Sequence, residues 1–373
     1  MTLKPLKMIK ILTVTGSRSE YDILYPLLKK LENDKMFELT IMLCGSHLSK
    51  NFGKTIDYVK ADKFKNILKL KSIFKKQNDN IQIFNSYSLV SKKISKILTK
   101  KKIDVLLILG DRFEAHAASI AAFFLKKKII HIGGGDTSLG SMDEYFRNSI
   151  SLMSDLHFPK ILKHKKKLIN LGVKNDKIFP VGSLSNENYI KVFEKNFFLK
   201  KPFALVTFHP VTNSKNKKDN NIEILIKALA AQKDLKFLFT ASNHDEGGKE
   251  INDKLKKLSN NDKRFIYMPN LGRKLYYQAM NNCEFMIGNS SSGIVESMIY
   301  KKPSINILPR QLGRKGNNNL IHCKNDYLSI LKSINKVKSK NFKKKCKNLN
   351  NIFLNNDRKP SQMIIEKILK NYV

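Results

Sequence analysis

The side chains best suited to acid–base chemistry crowd into one stretch, from Val105 to Ile150. An apolar run, Val105–Leu109, ends in Gly110-Asp111-Arg112. A second run, Ile129–Ile132, contains His131 and leads into Gly133-Gly134-Gly135-Asp136. Asp143 and Glu144 then open a helical segment that carries Arg147. A carboxylate at the end of a buried strand is costly unless it has a partner or a task. Asp111, Asp136 and Asp143 at one sheet edge would make a general acid–base set, with Arg147 as its cation. Plainer readings stand beside this one. Glu144 and Arg147 have the i, i+3 spacing of a helical ion pair. Asp136 follows three glycines, as turn residues do. His131 fits a satisfied core histidine equally well.

Other residues suit anion binding. Ser290, Ser291 and Ser292 lie between the apolar run Phe285–Ile287 and the segment Ile294-Val295-Glu296. Hydroxyls and N–H groups at the start of a helix suit a diphosphate, and Glu296 one turn on suits a ribose. One serine would serve as an N-cap, but three in a row exceed that need. Gly16-Ser17-Arg18 sits between the first strand and its helix, where N–H groups can hold an anion and Arg18 can grip a phosphate. A turn with a surface arginine explains the same three residues. The pattern is not G-x-G-x-x-G, so no nicotinamide cofactor is inferred. His209, followed by Pro210 at a strand end, adds an imidazole, while His244 sits in a polar loop. No His, Cys and carboxylate grouping has a metal-ligand spacing, so no metal site is expected.

The elements that must position these groups follow from an alternation of short apolar runs with amphipathic stretches, the mark of βαβ units and parallel sheets. Strands are predicted at Ile9–Val14, Phe37–Leu43, Val105–Leu109, Ile129–Ile132, Leu156–Phe158 and Ile178–Val181. Helices are predicted at Tyr21–Leu31, near Asn51–Ala61 and at Ile81–Leu98. A polar, basic stretch, Lys191–Lys201, reads as a linker. A second alternation gives strands at Phe203–Phe208, Phe237–Thr240, Phe265–Tyr267, Phe285–Ile287 and Ser304–Ile307, with helices at Ile222–Ala231 and Leu275–Met280. The serine run is expected to open a helix, and the Lys-rich segments after Asn325 to be helical. The expected architecture is α/β, with two doubly wound Rossmann-like domains facing a cleft. They span residues 1–190, carrying the acidic half, and 191–355, carrying the phosphate half. The amphipathic segment 356–373 is expected to pack back on the first. In open α/β sheets, ligands bind at the carboxyl ends of the strands.

Composition narrows the classes. With 42% hydrophobic residues, the chain of 373 residues can build two cores. It has no apolar run of membrane-spanning length, about 18 residues. The first apolar run flows into a Gly-Ser-Arg turn rather than a cleavage site, which reads as a strand in a cytoplasmic protein. Four scattered cysteines fit free thiols. The net charge of +39 raises nucleic-acid binding, but only eight of the 70 basic residues are arginine and the lysines spread evenly. That distribution fits solvated faces better than a basic stripe with interleaved aromatics. It would still draw in an anionic substrate.

Six motifs in order resemble those of the hydrolysing UDP-N-acetylglucosamine 2-epimerases of sialic- and legionaminic-acid biosynthesis. They are Thr15-Gly16-Ser17-Arg18-Ser19-Glu20-Tyr21, Gly110-Asp111-Arg112-Phe113-Glu114, Asp143-Glu144-Tyr145-Phe146-Arg147, Thr207-Phe208-His209-Pro210-Val211-Thr212, Gly288-Asn289-Ser290-Ser291-Ser292-Gly293 and Arg310-Gln311-Leu312-Gly313-Arg314. The resemblance implies a GT-B-like fold and a homo-oligomer, dimer or tetramer, with UDP between the domains. It implies anti elimination of UDP to a 2-acetamidoglucal, then syn hydration to the 2-epimeric sugar, without NAD or an obligatory metal. Asp111, Asp143 and His209 match catalytic positions. Arg18, Ser290, Ser291 and Glu296 match UDP-contacting ones, and Arg314 lies in a motif near the substrate. The substrate expected is UDP-N-acetylglucosamine, giving N-acetylmannosamine and UDP. The alternatives are the same chemistry on a UDP- or GDP-2,4-diacetamido sugar, a non-hydrolysing epimerase, or a homologue that binds UDP-sugar without turnover. Three positions depart from the family: its Glu or His after the His-hydrophobe pair is Gly133, its following Glu is Asp136, and its His after the arginine is Asn148.

Overall fold

The computed structural model describes residues 8–48, 55–70, 80–188, 197–200, 202–213, 221–243, 245–355 and 358–372. His244, most of the predicted linker and the start of the predicted helix near Asn51–Ala61 lie outside them. The chain forms two compact units, one of Met1–Asp136, Asp143–Asn188 and Phe353–Val373, the other of Thr137–Met142 and Tyr189–Ile352.

The first unit holds the strands β1 (Ile9–Thr15), β2 (Phe37–Leu43), β3 (Ile67–Lys69), β4 (Val105–Leu109), β5 (Lys128–Ile132) and β6 (Leu156–Phe158). They form one sheet in the order β3-β2-β1-β4-β5-β6, and every pair is parallel. Its helices are α1 (Arg18–Asn33), α2 (Ile56–Ala61), α3 (Asn80–Lys100), α4 (Phe113–Phe124), α5 (Asp143–Met153), α6 (Leu162–Asn170) and the late α12 (Pro360–Tyr372). Strands buried on both faces need apolar residues throughout, and Val105–Leu109 is fully buried along its length. One face packs Ile11 and Leu107 against Leu24, Leu28, Ile364 and Ile368 of α1 and α12. The other packs Leu12 and Leu106 against Ile94 and Ala118 of α3 and α4.

Register decides what the sheet presents. Leu109 pairs with Ile132, and Ile132 with Phe158. The ladder continues through Gly110 N to Ile132 O, 2.9 Å, and Gly133 N to Phe158 O, 3.0 Å. The chain therefore leaves β4, β5 and β6 at one level, where Asp111, Gly133 and Lys160 follow.

The second unit repeats this wiring. Its strands are β7 (Phe203–Thr207), β8 (Lys236–Thr240), β9 (Phe265–Met268), β10 (Phe285–Gly288), β11 (Ser304–Ile307) and β12 (Leu320–Cys323). The order β12-β11-β10-β7-β8-β9 is that of the first sheet, strand for strand. Its helices are α7 (Ile222–Ala230), α8 (Gly248–Asn261), α9 (Gly272–Asn282), α10 (Tyr327–Lys338) and α11 (Lys340–Lys347). Strand order reverses between β1 and β4 in one sheet and between β7 and β10 in the other, the crevice where doubly wound folds take ligands.

The sequence reading misses β3, β12 and α6. The two strands are short and only partly buried, and α6 carries four lysines in nine residues, which mask its apolar face. The predicted strand Ile178–Val181 reduces to a single bridge between Ile178 and His157, because Pro180 has no N–H to extend a ladder. The helix expected after the serine run is instead two short 3₁₀ turns, Ser291–Gly293 and Glu296–Tyr300. The aligned dipole invoked for it is correspondingly short.

Ile368 is fully buried in the cluster that α12 shares with α1. Ile368→Ala should cost about 2–5 kcal/mol, read as a lower urea midpoint, and a loss below about 1 kcal/mol would mean that α12 is peripheral to the fold.

Candidate active site

Arg147 is the hub of the acidic half. Its side chain is 1% exposed, and helical spacing sets it one turn beyond Glu144. Nη1 donates to Glu144 Oε2 at 2.7 Å and to the carbonyl of Asp136 at 3.2 Å, and Nη2 donates to Asp111 Oδ2. Lys167 of α6 donates to Glu144 Oε1 at 2.5 Å and to the Asp136 carbonyl at 2.8 Å. The Asp136 carboxylate meets Lys160 Nζ at 3.2 Å and His164 Nε2 at 3.5 Å. Burial disfavours the charge on Arg147, yet Asp111, Asp136 and Glu144 together hold its pKa above the ordinary arginine value. Buried charges persist only when paired in this way.

The predicted carboxylates differ in access. Asp111 keeps 20% of its side chain exposed while the guanidinium grips it from the buried side. Asp136 is 2% exposed and enclosed by cations. Asp143 is half-buried at the first position of α5, where the helix N-terminus favours a negative charge. Asp111, Asp136 and Arg147 therefore share one network, which Asp143 adjoins through Glu144. Asn148 donates weakly to Glu144 Oε1 at 3.4 Å, while its own Oδ1 is buried with no hydrogen-bond partner among the described residues.

His131 proves to be a core histidine with a task. Nε2 lies 2.7 Å from the carbonyl of Gly110, and Nδ1 3.0 Å from Ser151 Oγ. Burial lowers its pKa to about 3, so the ring is neutral and pins the Gly110-Asp111 corner to β5.

The turn after β1 corrects an expectation. The N–H groups of Gly16 and Ser17, read as a phosphate seat, donate to Glu20 Oε2 at 2.8 and 3.0 Å. Ser17 Oγ accepts from Glu20 N in return, a capping box. α1 therefore begins at Arg18, three residues earlier than predicted, and the spacing Ser17-x-x-Glu20 was the signal for it. Arg18 forms a long ion pair with Asp22, 3.8 Å. Although Glu20 as a whole is only half-buried, its carboxyl group is enclosed. Burial raises its pKa to about 8 against the pull of Arg112, with Glu114 and Asp111 adding to the rise.

In the second unit, His209 leaves β7 level with Asn289 leaving β10. Asn289 Oδ1 accepts from His209 N, and Nδ2 donates to His209 O, both at 2.7 Å. The backbone N–H of Asn243 donates to His209 Nδ1 at 3.0 Å, which assigns the neutral ring's proton to Nε2. Gly288 has φ +145° and its Cα abuts the Thr207 backbone, leaving no room for a Cβ. Ser290 Oγ accepts from Ser292 N at 3.4 Å, and Ser292 Oγ lies 2.6 Å from Tyr276 Oη. Arg310 and Gln311 donate to the Asn289 carbonyl at 3.4 and 3.2 Å. Glu296 is buried in the turn beyond, and Arg314 is half-buried. Sequence reasoning missed Asn289 as the tie between β7 and β10, and it missed Tyr276 and Asn243 altogether.

Two sheets of identical order, one bearing an arginine-held carboxylate network and the other a serine turn beside a tautomer-fixed histidine, define a doubly wound GT-B-like α/β protein. Comparison with known proteins is specific. The UDP-N-acetylglucosamine 2-epimerase family matches over residues 29–369. GDP/UDP-N,N'-diacetylbacillosamine 2-epimerase (hydrolyzing) of Campylobacter jejuni is 36% identical over 344 residues, covering 90% of this chain and 88% of that protein. Polysialic acid biosynthesis protein P7 of Escherichia coli is 33% identical over 337 residues, covering 88% and 86%. The crystal structure of UDP-GlcNAc 2-epimerase from Neisseria meningitidis, bound to UDP-GlcNAc, shares the fold, with a TM-score of 0.79 over 97% of this chain and 100% of that one at 18% identity. The chain belongs to the UDP-N-acetylglucosamine 2-epimerase family.

Arg147→Met should strand the carboxylates it pairs and destabilise the protein by about 3–5 kcal/mol; denaturant titration showing less than about 1 kcal/mol would remove Arg147 as the hub. Glu20 gives a pH-dependent counterpart. Its native pKa of about 8 exceeds the ordinary 4.5, so unfolding releases a proton between these values and stability falls as pH rises through that window. Glu20→Gln abolishes this loss. Relative to the parent, its melting temperature should gain between pH 4.5 and 8 and level off above; a difference that does not vary with pH would refute the enclosure of the Glu20 carboxyl.

Proposed function

We propose that the protein is a hydrolysing nucleotide-sugar 2-epimerase, converting a UDP-2-acetamido sugar and water to UDP and the free 2-epimeric sugar. The observation that carries the reading is the Arg147 network, which joins Asp111 and Asp136 at one edge of the first sheet. A carboxylate that is held by a buried guanidinium yet keeps 20% of its side chain exposed is a positioned base, and a weakly acidic C–H proton needs such positioning. Asp111 takes the C2 proton, the released electron pair forms the C1–C2 double bond, and the C1–O bond breaks to UDP. His209, its proton on Nε2, and Arg18, which pairs with Asp22 at 3.8 Å, offset the charge growing on the diphosphate. The serine turn with Ser290, Ser291 and Ser292 receives the phosphates, Glu296 the ribose, and Arg314 the sugar side. In the second half, Asp136 or Asp143 takes a proton from the water that adds at C1, and C2 regains one. The nucleotide sugar is the only partner proposed, and the protein acts in the cytoplasm as a homo-oligomer. Among the described residues no helix is long and apolar enough to cross a membrane.

UDP-N-acetylglucosamine is the first substrate to try. The 36% identical relative, whose name specifies diacetylbacillosamine, favours a second reading in which the sugar carries acetamido groups at C2 and C4.

Proton NMR in D₂O without added metal or NAD distinguishes these. UDP together with N-acetylmannosamine deuterated at C2 is the expected product pair. Turnover of the 2,4-diacetamido substrate alone would transfer the chemistry to that sugar, and UDP binding without turnover of either would sink the epimerase reading. With the active substrate, Asp111→Asn should lower kcat by about 10² or more while UDP affinity stays within about twofold; unchanged turnover would remove Asp111 from the mechanism.

A further inference from the structure

Gly133 leaves β5 with φ +82°, and a Cβ built on it would have Lys160 Cε at 3.9 Å and Gly110 N and Leu109 Cδ1 at 4.0 Å as its nearest neighbours. A Cβ here would sit in ordinary van der Waals contact, and its nearest neighbour is the stem of Lys160. Lys160 stands two residues beyond β6, at the level that the Gly133–Phe158 hydrogen bond sets. Its side chain is 19% exposed, and Nζ reaches inward to Asp136 Oδ2 at 3.2 Å.

The charge balance gives this contact its weight. Three carboxylates, Asp111, Asp136 and Glu144, share the interior of the site with Arg147 and Lys167. Both of those cations donate to the Asp136 backbone carbonyl. The Asp136 carboxylate itself has Lys160 on one oxygen and His164, 3.5 Å away, on the other. Lys160 thus places a permanent charge directly on the Asp136 carboxylate.

We propose that Lys160 is a positioning residue for the reaction: its stem passes beside Gly133, and its ammonium fixes Asp136 and keeps it in the ionised form that accepts a proton. The proposal rests on Asp136 belonging to the acid–base set described above. Lys160 acts through Asp136 and needs no contact with the sugar. The other groups facing Asp136 are His164 and Lys167 from α6, and Arg147 with its partners Glu144 and Asp111.

Lys160→Met, Lys160→Gln and Lys160→Arg test this by two readouts. In the pH profile of kcat, the acid limb should move up by about one unit in Lys160→Met and Lys160→Gln, and return to within a few tenths in Lys160→Arg. At pH values below the parent's midpoint on that limb kcat should fall about tenfold, with KM changed less than threefold. The second readout is the ¹³Cγ titration of Asp136, assigned with Asp136→Asn. Its midpoint should rise in Lys160→Met and Lys160→Gln and recover in Lys160→Arg. Profiles and titrations that overlay the parent's would overturn the proposal. A parent protein that turns over no nucleotide sugar would instead defeat the epimerase reading, and the Asp136 titration would then decide the role of Lys160 alone. Either neutral variant suffices if the other fails to fold.

Discussion

The acidic half of this protein depends on one buried cation. A guanidinium has a planar fork of donors, so a single Arg147 can hold Asp111, Glu144 and the Asp136 carbonyl at once. A lysine would offer one point of charge. Placing the arginine inside α5 makes its position a property of a rigid element, while the acids it collects come from β4, from the turn after β5 and from α5 itself. The interaction therefore ties three pieces of backbone to one another and tunes their chemistry together. His131 adds a neutral brace behind them, since a charged ring at that depth would compete with Arg147 for the same acids.

Much of this could be read from the residues. Unbroken runs such as Val105–Leu109 and Phe285–Ile287 mark doubly buried strands because nothing polar can be tolerated there, and their ends located Asp111 and the serine turn. Period-3.6 leucines in Tyr21–Leu31 gave α1. Where the sequence failed, local signals were competing. The Lys-rich face of α6 hid Leu168, and with it the element that supplies Lys167 and His164. The start of α1 was misplaced because Gly16-Ser17-Arg18 was read as an anion-binding turn, although the spacing Ser17-x-x-Glu20 spells a cap.

The site was legible in its parts and opaque in its pairings. Asp111, Asp136 and Arg147 are named by sequence, and the ion pair of Glu144 with Arg147 follows from helical spacing. Which oxygen faces which cation depends on register between strands distant in sequence, and no periodicity encodes that. Lys160 is the clearest case. It is one lysine among 62, and only the level at which β5 and β6 end sets it apart from the solvated majority.

The capping box at the start of α1 bears on stoichiometry. A chain with two Rossmann-type sheets has two crevices at which strand order reverses, and in principle two seats for a nucleotide. In the first, backbone N–H groups that would greet a pyrophosphate are already satisfied by Glu20, a ligand the chain carries with it. The second crevice carries the hydroxyl-rich turn Ser290-Ser291-Ser292, in which Ser290 Oγ takes the capping position. On the proposed function, that difference would leave a single nucleotide seat of this type per chain, with the first sheet serving the sugar.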